Sequence, residues 1–387
     1  MCPSYMVTRE EMHSTRGRTR LLFEMLQGNP LAGGWKSEAV KEALDLCLSC
    51  KGCKGDCPVN VDMASYKSEF LSHYYDDRVR PRSAYASGYI SVWADIASRD
   101  PALVNFFTQT PGFSSLAKAA AGYVQKRHIP LFARMTFKEW FRRRGPVNEG
   151  KPKVILWADT FNNHFTPKVA QAAVEVLERA GYCVTVPQRR LCCGRPLYDY
   201  GFLDDAKAWL NQILTALRPA IRAGIPVVGL EPSCISVFRD ELNNLFHGNE
   251  DAARLSKRSF LLSEFLMSEV PNYKPPLLQR KAVVHGHCHH KSVLKFNAER
   301  QLLDAMGLEH NILDSGCCGM AGAFGYEKDH YDVSIKCGER VLLPAVRKAG
   351  RDTLILADGF SCREQIEQRT GRETMHIASL LEQRMLA

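Results

Sequence analysis
The run CLSCKGCKGDCP sets Cys47, Cys50 and Cys53 two residues apart and puts Cys57 directly before a proline. Thiolates so spaced on one loop can each meet a corner iron of a 4Fe-4S cubane. The last iron needs a thiolate from elsewhere, and the fourth cysteine of such a run crosses to the other cluster of a two-cluster site. Cys2 in MCPSY, itself followed by proline, is the expected fourth ligand, because no other cysteine precedes Cys47. By the same crossover, Cys57 is expected to serve a second cluster whose other three ligands would lie before Cys2. Paired C-x2-C cysteines also build tetrahedral zinc sites, but the third cysteine and the proline after the fourth favour a cluster.

Two more cysteine groups recur at matching points. LCCGRPLYDYG carries Cys192 and Cys193, followed by Cys234 in EPSC. SGCCGMAGAFGYE carries Cys317 and Cys318, flanked by Cys288 in HGHCHH and Cys362 in GFSC. In the second set four thiols are expected at the ends of successive strands, the edge where open α/β sheets place their sites, and they can hold an iron–sulfur cluster or zinc. In the first set the position matching Cys288 is expected near Asp159, which leaves three thiols and a carboxylate, a poorer ligand for soft metals. Cys183 and Cys337 have no such counterparts and read as core residues, free cysteine being a small buried hydrophobe. In HGHCHH, strand alternation would put His285, His287 and His289 on one face and Cys288 and His290 on the other. Each histidine is either a ligand or a satisfied polar residue.

The elements that must position these residues follow from periodicity. SEAVKEALDLC spaces Val40, Leu44 and Cys47 on one helical stripe with Ser37 as N-cap, and DMASYKSEFLSHYY does the same for Met63, Tyr66, Phe70 and Tyr74 with Asp62 as cap. The cysteine run between them, with Gly52 and Gly55, reads as a non-helical loop. Residues 81–149 read as helix and connector, punctuated by prolines. Beyond them, short β-branched runs alternate with helical patterns: VILWADTF, GYCVTVP and IPVVGLEPSC, then AVVHGHCHH, EHNILD and DTLILADGFSC. This is an internal duplication. The expected fold class is α+β: an N-terminal α-helical ferredoxin-like domain (1–80), a helical connector (81–149), and two repeated α/β parallel-sheet CCG domains (150–254 and 255–387).

The 387 residues, 45% apolar and 24% charged, suit a globular chain, and 14 cysteines in pairs and one dense run suit metal ligation in a reducing compartment better than a disulfide framework. The charged N-terminus lacks the apolar core of a signal peptide, and no stretch reaches about 18 apolar residues. The expected location is cytoplasmic, with peripheral contact to the inner face of the membrane left open. The net charge of +9 is concentrated partly in KRHIPLFARMTFKEWFRRRG, where Phe132, Phe137, Trp140 and Phe141 interleave with basic residues. That stretch is either a solvated basic face over a local core or a patch for an anionic membrane or an acidic partner. Without a recognition motif beside the charge, no nucleic-acid partner is expected.

Together these segments resemble the C-terminal iron–sulfur half of the large FAD-linked oxidase family, the D-lactate and D-2-hydroxyglutarate dehydrogenase-type flavoproteins with a fused ferredoxin-like region. The resemblance is carried by MCPSY, HSTRGR, CLSCKGCKGDCPVNVDMA, DTFNN, LCCGRPLYDYG, HGHCHH, SGCCGMAGAFGYE and ADGFSCR, which span nearly the whole length. The paired CCG domains are also similar to those of heterodisulfide reductase, where such cysteines hold a non-cubane cluster, and to the iron–sulfur subunits of glycolate oxidase and anaerobic glycerol-3-phosphate dehydrogenase. Domains of that family close with C-x2-C, whereas here Glu231 and Gly359 stand at the first position of each closing, leaving Cys234 and Cys362 alone. The resemblance implies an electron-transfer subunit or fragment of an FAD-dependent D-2-hydroxyacid dehydrogenase, with at least one 4Fe-4S cluster and a second cluster or zinc at a CCG site. It implies an FAD-binding partner subunit or domain, quinone or another acceptor, and a flavin domain ahead of the segment matching MCPSY. A thiol–disulfide oxidoreductase acting through the CCG site, and a zinc-stabilised scaffold, are the alternatives. No FAD or NAD site is expected here, because no glycine-containing stretch has the nucleotide-binding context.

Overall fold
In the computed structural model, which describes residues 2–385, the β-branched runs form short strands that all pair in parallel. One sheet joins β1 (Lys153–Leu156), β2 (Cys183–Thr185), β3 (Val227–Gly229) and β4 (Ser259–Leu261) in the order β2-β1-β3-β4. The other joins β5 (Lys281–Val284), β6 (Glu309–Ile312) and β7 (Leu354–Leu356) in the order β6-β5-β7. The first three strands of each sheet therefore run in the same order, as a duplication requires. β4, three residues long, extends the first sheet past residue 255, where the second domain was expected to begin.

The two sheets share one core. Val154 and Leu156 of β1 and Ala282 and Val284 of β5 belong to a single buried cluster with Val176 and Leu177 of the helix Pro167–Arg179. The helix Ile377–Met385 contributes Leu380 and Leu381 to that cluster and packs on Pro167–Arg179. Chain from the second repeat thus completes the first. The helix Phe137–Arg144 inserts Phe137 and Phe141 into the same core, and Phe132 is buried as well. Phe132, Phe137 and Phe141 of the basic stretch are therefore core residues, and of its basic side chains Arg127 is buried against Gly325, Ser334 and Gln365.

The N-terminal helices Pro3–Thr8, Thr15–Gln27, Glu38–Asp45 and Met63–Tyr74 surround a small core of Leu22, Met25, Val40, Leu44, Met63 and Phe70. Ser14 accepts from Gly17 N at 2.9 Å and Asp62 from Ser65 N at 3.2 Å, capping two of them. A Cβ on Gly17 would lie 2.0 Å from the Glu11 carbonyl oxygen, so only glycine lets this helix meet the turn before it. Cys47 falls two residues past the end of its expected helix, and a short helical turn, Gly52–Asp56, occupies part of the expected loop. Further along, the helices Pro101–Gln109 and Phe113–Ala121 form a hairpin in which Leu103, Phe106, Phe107, Phe113 and Leu116 are exposed. Among the described residues, no helix is long and apolar enough to cross a membrane.

Candidate functional site
Cys47 and Cys53 are buried, Cys2 and Cys50 partly so, and the four thiols are near enough to interact electrostatically. Burial raises the Cys53 thiol to about 11 and, with Cys288 beside it, pushes Cys50 up too. Cys2 goes the other way: burial opposes ionisation, but the Arg18 guanidinium lowers its pKa, with Nη1 3.0 Å from the sulfur. Arg18 is itself buried, donating also to Ser4 Oγ at 2.9 Å and to the Ala43 carbonyl at 2.7 Å. Cys57 stands apart, partly exposed, its thiol lowered by the backbone amides of Val61, Val59 and Asn60.

Both repeats grip the loop. Ser49 and Lys51 hold left-handed backbone conformations, φ +50° and +56°, of the kind that persist only where surroundings over-determine them. His289 Nε2 lies 2.9 Å from the Ser49 carbonyl, and Ser292 Oγ donates to the carbonyls of Cys50 (3.3 Å) and Cys288 (2.9 Å). From the first repeat, Asp240 and Glu241 meet the buried Lys51 ammonium at 2.6 and 2.8 Å, and Asp62 joins at 3.0 Å. Glu241 also pairs with Arg195, the residue two after Cys193. On a third side, His330 bridges Asp45 (2.8 Å) and Glu327 (2.6 Å). Burial disfavours its proton, but these two carboxylates raise it to about 9.

Cys288, Cys317, Cys318 and Cys362 come together at the C-terminal ends of β5, β6 and β7, as expected. Their thiols form a chain of contacts, Cys288 to Cys317 to Cys318 to Cys362, and all but Cys288 are at most 3% exposed. Gly319, which completes the CCG motif, has φ +90°, and a Cβ there would lie 2.1 Å from the Ser334 carbonyl oxygen. That explains why the pair must be followed by glycine. Hydrogen bonding from Cys317, against burial and with His287 nearby, brings Cys288 down to about 7, and hydrogen bonds from Cys317 and Cys362 lower Cys318 well below its ordinary value. The same contacts push Cys317 and Cys362 the other way, well above the ordinary thiol value.

Strand alternation across HGHCHH does not hold, because β5 ends at Val284 and the chain turns helical at Cys288. The histidines scatter to four tasks. His285 Nδ1 sits 2.7 Å from Ser315 Oγ while its unpartnered Nε2 faces the cysteines, His285, Cys318 and Cys362 having ligand atoms within 4.8 Å of one another. His287 lies 4.0 Å from Glu231, His289 holds the cysteine loop, and His290 points to Glu299 and Asp358.

In the first repeat Cys193 Sγ lies 3.1 Å from Cys234 Sγ, and Cys192 is beside them. The position matching Cys288 is Thr160, one residue past Asp159: each lies four residues beyond the end of its strand, β1 or β5. Thr160 Oγ1 is 3.8 Å from Cys192 Sγ, where the twin has a thiol contact. Asp159 caps its own helix through the amides of Phe161 and Asn162, and burial beside Glu231 raises it to about 6. The Cys192, Cys193 and Cys234 thiols are all raised; for Cys192 and Cys193 the neighbouring thiols contribute, and for Cys234 burial outweighs the lowering contact with Cys193. A cavity of about 620 Å³ is lined by residues of both groups, Cys192, Cys193 and Cys234 from the first and His287 and Cys288 from the second, together with Cys47. Cys183 and Cys337 are buried, Cys337 packing with Cys317, Leu48 and Phe324.

Arg18, Lys51 and Glu231 were not foreseen from sequence. Each acts on residues far along the chain, and a lone charged residue carries no local mark of such a partner. Glu231 Oε2 accepts from Phe360 N at 2.8 Å, so this carboxylate from the first repeat reaches the closing turn of the second.

The 4Fe-4S dicluster domain family matches residues 1–62, and the cysteine-rich domain family matches residues 159–239 and 283–367. A D-2-hydroxyglutarate dehydrogenase of Pantoea ananatis is 26% identical, the match covering 99% of this chain and 41% of that protein. The chain thus spans about two fifths of that relative's length. A subunit of the anaerobic glycerol-3-phosphate dehydrogenase of Escherichia coli is 30% identical, over 73% of this chain and 72% of that one. Lactate utilization protein A of Bacillus licheniformis is 31% identical over 60% of this chain and its own full length.

Proposed function
Because the chain belongs to the iron–sulfur, cysteine-rich-domain family that includes an anaerobic glycerol-3-phosphate dehydrogenase subunit and lactate utilization protein A, we propose that it relays electrons from a flavoprotein oxidising a D-2-hydroxy acid towards quinone or another acceptor. In this reading Cys2, Cys47, Cys50 and Cys53 hold the 4Fe-4S cluster of the N-terminal domain. Cys288, Cys317, Cys318 and Cys362, with His285 beside them, hold a second iron–sulfur cluster or zinc. Cys57 is left to a further cluster shared with sequence outside this chain. Bound clusters supply one-electron transfer.

One observation carries the relay. Cys50 and Cys288 pack against the same buried group, Leu48, Cys317, Phe324 and Cys337, so the two thiol sets meet with no intervening layer. Arg18 offers positive charge to a ligand sulfur. The cavity lined by both CCG groups is the place we assign to the acceptor. The exposed apolar hairpin Pro101–Gln109 and Phe113–Ala121, on a chain of net charge +9, is the face we assign to peripheral contact with the inner face of the cytoplasmic membrane.

The test is iron, acid-labile sulfide and zinc per chain on protein purified without oxygen, with paramagnetic resonance after reduction. About four irons correspond to the cubane alone, and appreciably more implicate a CCG site. Colourless, iron-free protein after reconstitution with ferrous salt and sulfide would sink the reading. Cys2→Ser should change the resonance signal; an indifferent spectrum removes Cys2 from the ligand set. A second reading is favoured by the 3.1 Å approach of Cys193 and Cys234, a thiol–disulfide exchange site on the cavity wall. It requires turnover of disulfide substrates by the reduced protein and loss of that turnover in Cys234→Ser.

A further inference from the structure
At the second repeat's strand ends, three side chains from separate elements converge. His290 comes from the turn His290–Leu294, Glu299 from the helix Asn297–Ala305, and Asp358 from just beyond β7. Their ligand atoms lie within 4.8 Å of one another. His290 is 1% exposed and Glu299 4% exposed, and His290 Nε2 and Glu299 Oε2 have no hydrogen-bond partner. Ser263 Oγ, from the helix Leu262–Ser268 packed against Asn297–Ala305, is buried and unpartnered too.

Among the described residues, neither carboxylate is met by a lysine or arginine, and Asp358 has only a backbone amide and a histidine beside it. Asp358 Oδ1 accepts from Ile377 N at 3.0 Å and lies 3.6 Å from His376 Nε2, which is itself 3.0 Å from the Leu230 carbonyl. Arg239, whose charge reaches His290 from the first repeat, is taken by Glu264, and Arg363 donates to the backbone carbonyls of Ala357 and Asp358. No lysine or arginine ion pair to Glu299 or Asp358 occurs among the described residues. Buried carboxylates are ordinarily paired or bound to metal, and unsatisfied buried polar atoms call for a water, an ion or a special role.

We infer that His290, Glu299 and Asp358 form a binding site for a divalent zinc ion, separate from the cysteine sites. One imidazole and two carboxylates suit a borderline first-row cation, and three protein ligands with a fourth position for water or Ser263 suit tetrahedral zinc. The ion braces the second repeat: it ties the turn two residues past Cys288 to the strand end four residues before Cys362. A competing occupant is a proton shared between Glu299 and Asp358, which requires no metal.

The full chain, purified without oxygen, is loaded with Zn²⁺, freed of excess by gel filtration, and assayed for zinc, iron and acid-labile sulfide. Wild-type protein is expected to keep one zinc per chain more than either Glu299→Gln or His290→Gln, with iron, sulfide and visible absorbance unchanged. Equal zinc in wild type and variants, or none in the wild type, overturns the site. Should either variant fail to fold, Co²⁺ bound to wild-type protein decides. Ligand-field bands without thiolate-to-cobalt charge transfer place the metal on nitrogen and oxygen. Charge transfer alone, or no bound cobalt, overturns the proposal. Because zinc is read apart from sulfide, failure here leaves the cluster assignment standing, and the reverse holds.

Discussion

Arg18 shows what one buried side chain can do to a distant sulfur. Its guanidinium is 1% exposed and lies 3.0 Å from Cys2 Sγ, so its charge is little screened and favours whichever state of the neighbouring site carries more electrons. Arg18→Gln keeps much of the volume and removes the charge. The midpoint of the N-terminal cluster is expected to fall by ~60 mV, the one-electron equivalent of a tenfold change in equilibrium, in a titration monitored by paramagnetic resonance. An unchanged midpoint would remove Cys2 from the cluster's surroundings. Thr160 makes the complementary case: it stands where the second repeat has Cys288, 3.8 Å from Cys192 Sγ. Thr160→Cys should restore a four-thiol group and raise the iron or zinc content of the chain, measured beside the parent under identical loading.

At the scale of elements, the cysteine loop is a wedge whose seat is electrostatic on one side and hydrogen-bonded on the other. Lys51→Met leaves Asp62, Asp240 and Glu241 facing one another without that ammonium, with Lys54 and Arg195 still in place. Breaking a buried pair by removing one partner costs about 3–5 kcal/mol. Earlier proteolysis of residues 46–58 and a lower thermal midpoint are expected, and wild-type protection in the variant would contradict the wedge. His330 predicts a pH response. Its folded pKa of about 9 lies above the ordinary value near 6.5, so its contribution, at most about 3 kcal/mol, is complete below about pH 6.5 and lost as pH rises through about 9. His330→Gln should flatten the fall in thermal midpoint over that range. Element identity was readable where periodicity or spacing is local: six of the seven strands and the duplication itself, while part of the expected cysteine loop, Gly52–Asp56, is helical. β4 was not, since Ser259–Leu261 runs straight into the helix Leu262–Ser268 with no turn residue to set it apart. The four fates of His285, His287, His289 and His290 were hidden because the strand stops at Val284, and alternation says nothing of a turn. Two partners of Lys51, Asp240 and Glu241, lie some 190 residues away, and no window over the sequence joins them.

For the molecule as a whole, orientation is the open consequence of the exposed hairpin. Leu103, Phe106, Phe107, Phe113 and Leu116 form an apolar surface on neighbouring helices, with Phe107 and Phe113 rings 5.2 Å apart. Exposed apolar patches of this kind mark interaction sites. Co-sedimentation with anionic phospholipid vesicles is expected for the parent chain and should drop several-fold in a Phe106→Ser, Phe113→Ser double variant; equal binding would place the contact elsewhere. The shared core and the helix Ile377–Met385, seated on Pro167–Arg179, make the two repeats a single body despite their separate sheets. Since Ser49, Cys50 and Lys51 are clasped by both halves at once, colour in this protein would double as a gauge of architecture. A brown preparation would be one whose halves have shut around the inorganic core, and bleaching on storage would announce that they have begun to part.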